Sequence, residues 1–267
     1  MRDISGKIET FKVGSYLTQP VAINDCGEIV GIYQDVAGVS RGFIRSSNGE
    51  ITTFNPGGDA GLTIVEGIND RGMVTGFYQT ERPVGTITNF LRYPDGHIVT
   101  FRVDVASVSY PSAINGEGEI TGFYVSNATQ SGGFLRSRDG HITTFEYAAG
   151  IQPLSIHDSG TTAGDYDSPT GPQGFIRSAD GKVTTFTVPG YLVPANVCIN
   201  RWDEVTGTYA VQGPFGEGFV RFPDGKIEEF QAPGATATYS MGIDDFGVVT
   251  GYFTPASTVA TGFLRIP

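Results

Sequence analysis

The chain has 267 residues, with 28 Asp and Glu against 17 Lys and Arg, a formal charge of −11. That balance excludes a nucleic-acid backbone as partner, because a phosphate-binding face needs clustered cations. No apolar run approaches the roughly 18 residues of a membrane-spanning helix, and the opening MRDISGKIETF has no signal-peptide core. The expectation is a soluble chain with no membrane partner, extracytoplasmic only if a leader has been trimmed.

GKIETFKVG, at 6–14, reads as a strand. After it, six units recur every 42 to 46 residues, marked by Ile23, Ile68, Ile114, Ile156, Ile199 and Ile243. They begin near residues 20, 65, 111, 153, 196 and 240. The first contains four strand-like pieces, PVAIND, EIVGIYQD, RGFIRSS and EITTFNP, here termed a, b, c and d. Each is short, rich in β-branched or aromatic residues, and bounded by Gly, Asn, Asp or Pro. Four strands per unit at this period make a β-propeller blade. The last unit stops at TGFLRIP, a c strand, while GKIETFKVG matches GKIEEFQAPG, a d strand. Residues 6–13 are therefore expected to complete the sixth blade. The reading is all-β: one domain, 1–267, a six-bladed β-propeller of four-stranded antiparallel blades closed by its N-terminal strand.

The repeated GFLR…DG…TTF…PG pattern resembles that of bacterial proteins built from HAF-type extracellular repeats, and the resemblance spans the whole chain. The motif itself departs from that family, with Gly-Phe-[Ile/Leu/Val]-Arg where the family has His-Ala-Phe followed by an aromatic. The resemblance implies a bacterial propeller. It supplies no catalytic motif to carry over.

Residues common to all units belong to the scaffold. Phe43, Phe90, Phe134, Phe175, Phe219 and Phe263 share one strand c site, and Phe11, Phe54, Phe101, Phe145, Phe186 and Phe230 share one strand d site. A side chain needed in every unit serves the packing between units. Arg45, Arg92, Arg136, Arg177, Arg221 and Arg265 are expected to bond neighbouring backbone or carboxylates rather than an anionic ligand. Strand b repeats Gly31, Gly76, Gly122, Gly164, Gly207 and Gly251, read as room for crowded inner strands. Cys26 and Cys198 occupy non-equivalent positions and read as reduced side chains. His97, His141 and His157 all fall at tight turns, and His157 stands where other units have Asn or Asp. Its expected role is to bond the turn backbone.

The a–b and c–d turns are short and alike. The b–c and d–a connections, such as YDSPTGPQ and NPGGDAGLTIVE, differ in every unit and lie at the other end of the strands, where specificity usually resides. Two carboxylates break the apolar pattern there. Glu66 replaces Val21, Ser112, Leu154, Val197 or Met241 in strand a. Asp165 replaces Ile32, Phe77, Phe123, Thr208 or Tyr252 in strand b. A carboxylate in an apolar slot costs several kcal/mol unless paired, hydrated or neutralised. Tyr110, Tyr239, Tyr191, Tyr16, Phe215 and Asn196 lie in or beside the same connections and complete a candidate pocket for a small organic molecule or sugar. The alternatives are an enzyme (a lyase, isomerase, cyclase or hydrolase) with Glu66 and Asp165 as acid and base, and a protein-interaction scaffold using GLTIV (61–65) and YLVP (191–194). No cofactor is called for. A Ca²⁺ or Mg²⁺ site from Glu66, Asp165 and Asn196 is a variant of the enzyme reading.

Deleting residues 1–13 is expected to leave strand c of the last unit as an open edge. Calorimetry and light scattering should then show a lower thermal midpoint and concentration-dependent aggregation. A truncated chain that melts with the full one contradicts the expected closure.

Overall fold

The computed structural model describes residues 10–81, 85–127, 130–147, 150–188, 190–192, 197–210, 216–255 and 260–267. Among them every regular element is a β-strand, and no helix is long and apolar enough to cross a membrane. The chain divides into two compact units, Met1–Arg102 and Val103–Pro267.

The first unit holds two four-stranded antiparallel sheets. One is β1 (Thr18–Ile23), β2 (Ile29–Gln34), β3 (Ser40–Arg45) and β4 (Ile51–Phe54). The other is β5 (Leu62–Ile68), β6 (Val74–Gln79), β7 (Ile87–Arg92) and β8 (Ile98–Phe101). The second unit holds four sheets. The third is β9 (Val108–Ile114), β10 (Ile120–Asn127), β11 (Gln130–Arg136) and β12 (Ile142–Phe145). The fourth is β13 (Gln152–Ile156), β14 (Thr162–Ser168), β15 (Gly171–Arg177) and β16 (Val183–Phe186). In the fifth, the first strand is split into β17 (Tyr191–Leu192) and β18 (Cys198–Ile199), both paired with β19 (Val205–Ala210), followed by β20 (Glu217–Arg221) and β21 (Ile227–Phe230). The sixth has three strands among the described residues, β22 (Ala235–Ile243), β23 (Val249–Pro255) and β24 (Thr261–Arg265). The strand expected from residues 6–13 lies largely outside the described residues, and 10–13 carry no strand.

The repeated aromatics do what their recurrence implies. Phe43, Phe90, Phe134, Phe175 and Phe219 are fully buried. The outermost-strand Phe lies over the third-strand glycine of its own sheet, so a Cβ on Gly42, Gly133, Gly174 or Gly218 would strike the ring of Phe54, Phe145, Phe186 or Phe230. The same ring then meets the next sheet. Phe54 packs edge-on against Phe90 at 5.9 Å between centroids, and Phe230 against Phe263 at 5.8 Å. Phe11 makes the equivalent contact with Phe43 at 6.0 Å. The repeated arginines cap these rings, with Arg92 at 5.3 Å from Phe54 and Arg177 at 4.5 Å from Phe145. Their Nη1 groups donate to the next carbonyl along the chain, as Arg221 does to Phe222 O at 3.1 Å. Cation–π stacking and backbone bonding thus account for the basic series.

The strand b glycines have a different cause from the one their recurrence suggests. The first strand carries a β-bulge in five sheets, with Val21, Glu66, Ser112, Leu154 and Met241 as the extra residue. The bulge drives a first-strand carbonyl beneath the facing glycine. A Cβ on Gly31, Gly76, Gly122, Gly164 or Gly251 would collide with the carbonyl oxygen of Gln19, Ile64, Tyr110, Gln152 or Tyr239. The constraint is therefore inside each sheet, where a bulge needs a close backbone approach.

Several connections expected to be loops are strand. β14 and β15 pair out to Ser168 opposite Gly171, so YDSPTGPQ is a hairpin closed by Pro169 and Thr170. Leu62 to Val65 belong to β5, with Thr63 and Val65 buried. This removes GLTIV as a loose apolar patch, because its residues satisfy their backbone against β6. Tyr191–Leu192 likewise pairs with Tyr209 and Ala210, while 193–194 lie outside the described residues.

The a–b turns clasp their neighbours. Asn24 Nδ2 donates to Asn69 O at 3.0 Å while the Asp25 N–H donates to Asp70 Oδ1 at 2.8 Å. The third and fourth sheets repeat this from Asn115 and Gly116, and the fifth and sixth from Asn200 and Arg201. Between the fourth and fifth sheets the clasp is rebuilt, because Arg201 stands where an accepting Asp is needed. His157 Nδ1 accepts from the Ser159 N–H at 3.1 Å, and Nε2 lies 3.0 Å from Asp203 Oδ1. Asp203 occupies the turn position held elsewhere by Gly27, Gly72, Gly118, Gly160 and Gly247, and it adopts their positive φ, at 59°. A non-glycine residue there costs about 1 kcal/mol, which the His157 contact offsets.

H157N is expected to lower stability, whereas D203G, which loses the contact but relieves the positive φ, should change it little. In a urea-melt double-mutant cycle the pair should show a coupling of roughly 0.5–2 kcal/mol. Additive effects would show that the two residues act separately.

Candidate functional site

Glu66 is the bulged residue of β5, between Val65 opposite Gly76 and Gly67 opposite Thr75. A bulged residue stands outside the hydrogen-bond ladder, so its side chain is re-aimed without cost to pairing. The sequence marks Glu66 as a departure from an apolar position, but not as a bulge. Burial alone pushes its carboxyl up to about 7.

Asp165 lies in β14, opposite Gln152 of β13 and Gly174 of β15. It is 3% exposed, and its Oδ1 has no hydrogen-bond partner among the described residues. Burial pushes the carboxyl up to about 7, its own backbone N–H partly opposes the shift, and the charge of Asp167 adds to it. Ala163, two residues earlier on the same strand face, belongs to an apolar cluster with Ile176, Val197, Tyr209 and Phe219. The face that carries Asp165 is therefore turned toward the fifth sheet.

Tyr110 and Tyr239 occupy the rung of Gln152, in the third and sixth sheets. Tyr110 faces Phe123 across β9 and β10, with ring centroids 5.2 Å apart. Tyr239 stacks on Tyr252 at 4.9 Å. Asp165, Phe123 and Tyr252 are thus equivalent second-strand residues. Thr208 is the fifth-sheet member of the set, and its Oγ1 accepts the Ser240 N–H at 3.0 Å. Ser240 immediately precedes the bulged Met241. Pro20, Pro111 and Pro153 hold the same place in three other sheets and present no N–H to satisfy.

The remaining candidates separate. Tyr16 is 65% exposed in a bend of the first unit. Tyr191 is in β17 rather than in a loop. Asn196 and Phe215 lie outside the described residues. Glu66 belongs to the first unit, whereas Asp165, Tyr110 and Tyr239 belong to the second. Among the described residues no three His, Cys, Asp or Glu side chains converge as for a metal ion.

One polar constellation escaped the sequence. The buried Tyr209 hydroxyl lies 2.9 Å from Glu217 Oε2 and 2.8 Å from Glu229 Oε2. Burial, followed by these two carboxylates, raises the phenol's pKa strongly. Tyr209 repeats in strand b and so reads as scaffold. The available signal was IEEF in place of ITTF, together with Glu217 where other sheets have Arg41, Thr88 or Gly132.

No family model matches the chain, and no curated protein does either. Solved structures do match. The β-propeller domain of the Trilobed protease from Pyrococcus furiosus aligns with a TM-score of 0.66 at 12% identity, covering 92% of this chain and 78% of that one. Virginiamycin B lyase from Staphylococcus aureus gives 0.59 at 16%, covering 91% and 83%. The gluconolactonase XC5397 from Xanthomonas campestris gives 0.53 at 14%, covering 94% and 87%. At such identities the likeness concerns the fold alone. That fold is a β-propeller, with the six antiparallel sheets as its blades.

Proposed function

We propose that the protein binds a small organic molecule or a single glycan unit at the sheet end bearing the b–c and d–a connections, with Asp165 as the polar anchor. The observation that carries this reading is the Asp165 carboxyl itself. It is almost fully buried, one oxygen lacks a hydrogen-bond partner among the described residues, and it stands where the other sheets place Ile32, Phe77, Phe123, Thr208 or Tyr252. Departures that costly concentrate at functional sites. Tyr110 and Tyr239 hold, in the third and sixth sheets, the rung that Gln152 holds beside Asp165, and offer amphipathic faces suited to such a ligand.

A carboxyl held near neutrality both donates and accepts. Around neutral pH it also takes up and releases a proton readily, which favours acid–base catalysis as the second reading. Glu66 shares this property in the first unit. The matching propellers include a lyase and a gluconolactonase, which is compatible with either reading and selects neither.

The pH dependence has a definite sign. Asp165 is raised from 3.8 to about 7 in the folded state. Between those values the folded chain holds a proton that the unfolded chain has lost. Stability is therefore fullest below about pH 4, falls as pH rises toward about 7, and levels above it. D165N is expected to gain up to roughly 2–4 kcal/mol over the parent near pH 8 and nothing near pH 4, in urea melts at both values. E66Q should move the same way by less. A D165N variant less stable than the parent at both values would contradict the buried-acid assignment.

A thermal-shift screen of metabolites, sugars and divalent cations tests binding. At least one compound that raises the parent's melting temperature should leave D165N unmoved. If both E66Q and D165N bind and turn over as the parent does, the assignment fails.

A further inference from the structure

Three grooves recur at equivalent positions on the sheet end that carries the short a–b and c–d turns. One, of about 160 Å³, lies between the first and second sheets and is lined by Glu28, Ser46, Glu50 and Pro94 among others. The next, of about 240 Å³, lies between the fourth and fifth sheets, with Thr161, Ser178, Lys182, Asp203 and Pro223. The last, between the fifth and sixth sheets, is also about 240 Å³ but is built differently. Its lining includes Val220, Phe222 and Phe246, whereas the lining of the fourth–fifth groove has Ser178 in the place of Phe222 and contains no aromatic residue.

The scaffold does not require either ring. The position of Phe222 holds serine in the first, third and fourth sheets, as Ser46, Ser137 and Ser178. The position of Phe246 holds Cys26, Arg71, Glu117, Ser159 or Trp202. Phe246 is 82% exposed and Trp202 is 59% exposed. The Trp202 indole N–H donates to Asp245 O at 2.9 Å, which lays the indole against the turn that bears Phe246. Arg201 stacks over it at 5.4 Å and pairs with Asp245 at 3.1 Å.

The polar rim is balanced in charge. Glu228 pairs with Lys226 at 2.7 Å and Arg265 at 3.0 Å, and Glu204 accepts from Asn200 Nδ2 at 2.7 Å. With carboxylates and cations in near-equal number, no local field selects an ion. Carboxylate acceptors and guanidinium donors set beside aromatic faces suit a ligand that has hydroxyls around its edge and C–H groups on its faces.

We propose that the groove between the fifth and sixth sheets is a second binding site, for a neutral saccharide. It is independent of Asp165 and of the opposite sheet end. The chain's single tryptophan, Trp202, sits beside it as a built-in reporter.

The test titrates neutral tetrasaccharides of α-linked and β-linked glucose, galactose and N-acetylglucosamine into the protein, reading Trp202 fluorescence and saturation-transfer NMR. At least one should bind the parent with a Kd of about 5 mM or tighter. F222S/F246S should weaken that sugar about tenfold or more. Both serines occur naturally at these positions in other sheets, so the variant should melt with the parent. Absence of binding by the parent, or equal binding by the double variant, overturns the proposal. Loss in D165N rather than in F222S/F246S places the sugar at the opposite end and also overturns it. Self-association of the parent that F246S abolishes would identify a second copy as the occupant, against the saccharide.

Discussion

Within each unit neighbouring sheets are tied by aromatic stacks, Phe54 on Phe90, Phe186 on Phe219 and Phe230 on Phe263. A phenylalanine on the outermost strand lies across the glycine of the third strand, then meets the buried phenylalanine and the arginine of the following sheet. At Gly42, Gly133, Gly174 and Gly218 three residues of a repeat are thereby committed to one contact, whereas the second sheet carries Asn89 opposite Phe101. A methyl group on the glycine displaces the ring, and loss of the ring exposes a fully buried neighbour. The arginine is equally bound, since its guanidinium is spent on a ring face and a backbone carbonyl. These repeated cations on an acidic protein therefore serve packing first, and only Arg265, through its pair with Glu228, also reaches the groove between the fifth and sixth sheets described above.

The recurrence of twelve phenylalanines and six arginines made the four-stranded units and their packing legible in the sequence, because six copies of a unit reveal what packing demands. Less legible was anything that depends on how two backbones pass each other. Gly31, Gly76 and their counterparts recur as plainly as the phenylalanines, yet their cause is a first-strand bulge that no residue type announces. Strand ends were also misread. YDSPTGPQ and GLTIV contain the glycines and prolines of loops, but their backbone groups find partners across the sheet and the strands continue.

The candidate site was legible as departures from a repeated pattern. Asp165 and Glu66 stand out because five other units show what usually fills the position, and burial pushes each carboxyl up to about 7. Tyr209 shows the limit of that approach. Its own position is conventional, and its chemistry arises from Glu217 and Glu229, which lie on two other strands and converge only in the folded sheet. His157 is the converse case. It departs from the pattern as visibly as Asp165, but a second departure, Asp203, answers it across the turn, and together they restore a clasp.

The bulge also bears on how such a protein acquires new chemistry. Val21, Glu66, Ser112, Leu154 and Met241 are the extra residues of their first strands, exempt from ladder pairing, and they already range from aliphatic to hydroxyl to acid. Each of these five sheets thus offers one address where a side chain can be exchanged with little penalty to the strands around it. An evolving or redesigned descendant could vary these five letters combinatorially and sample many accessible surfaces on an unaltered frame.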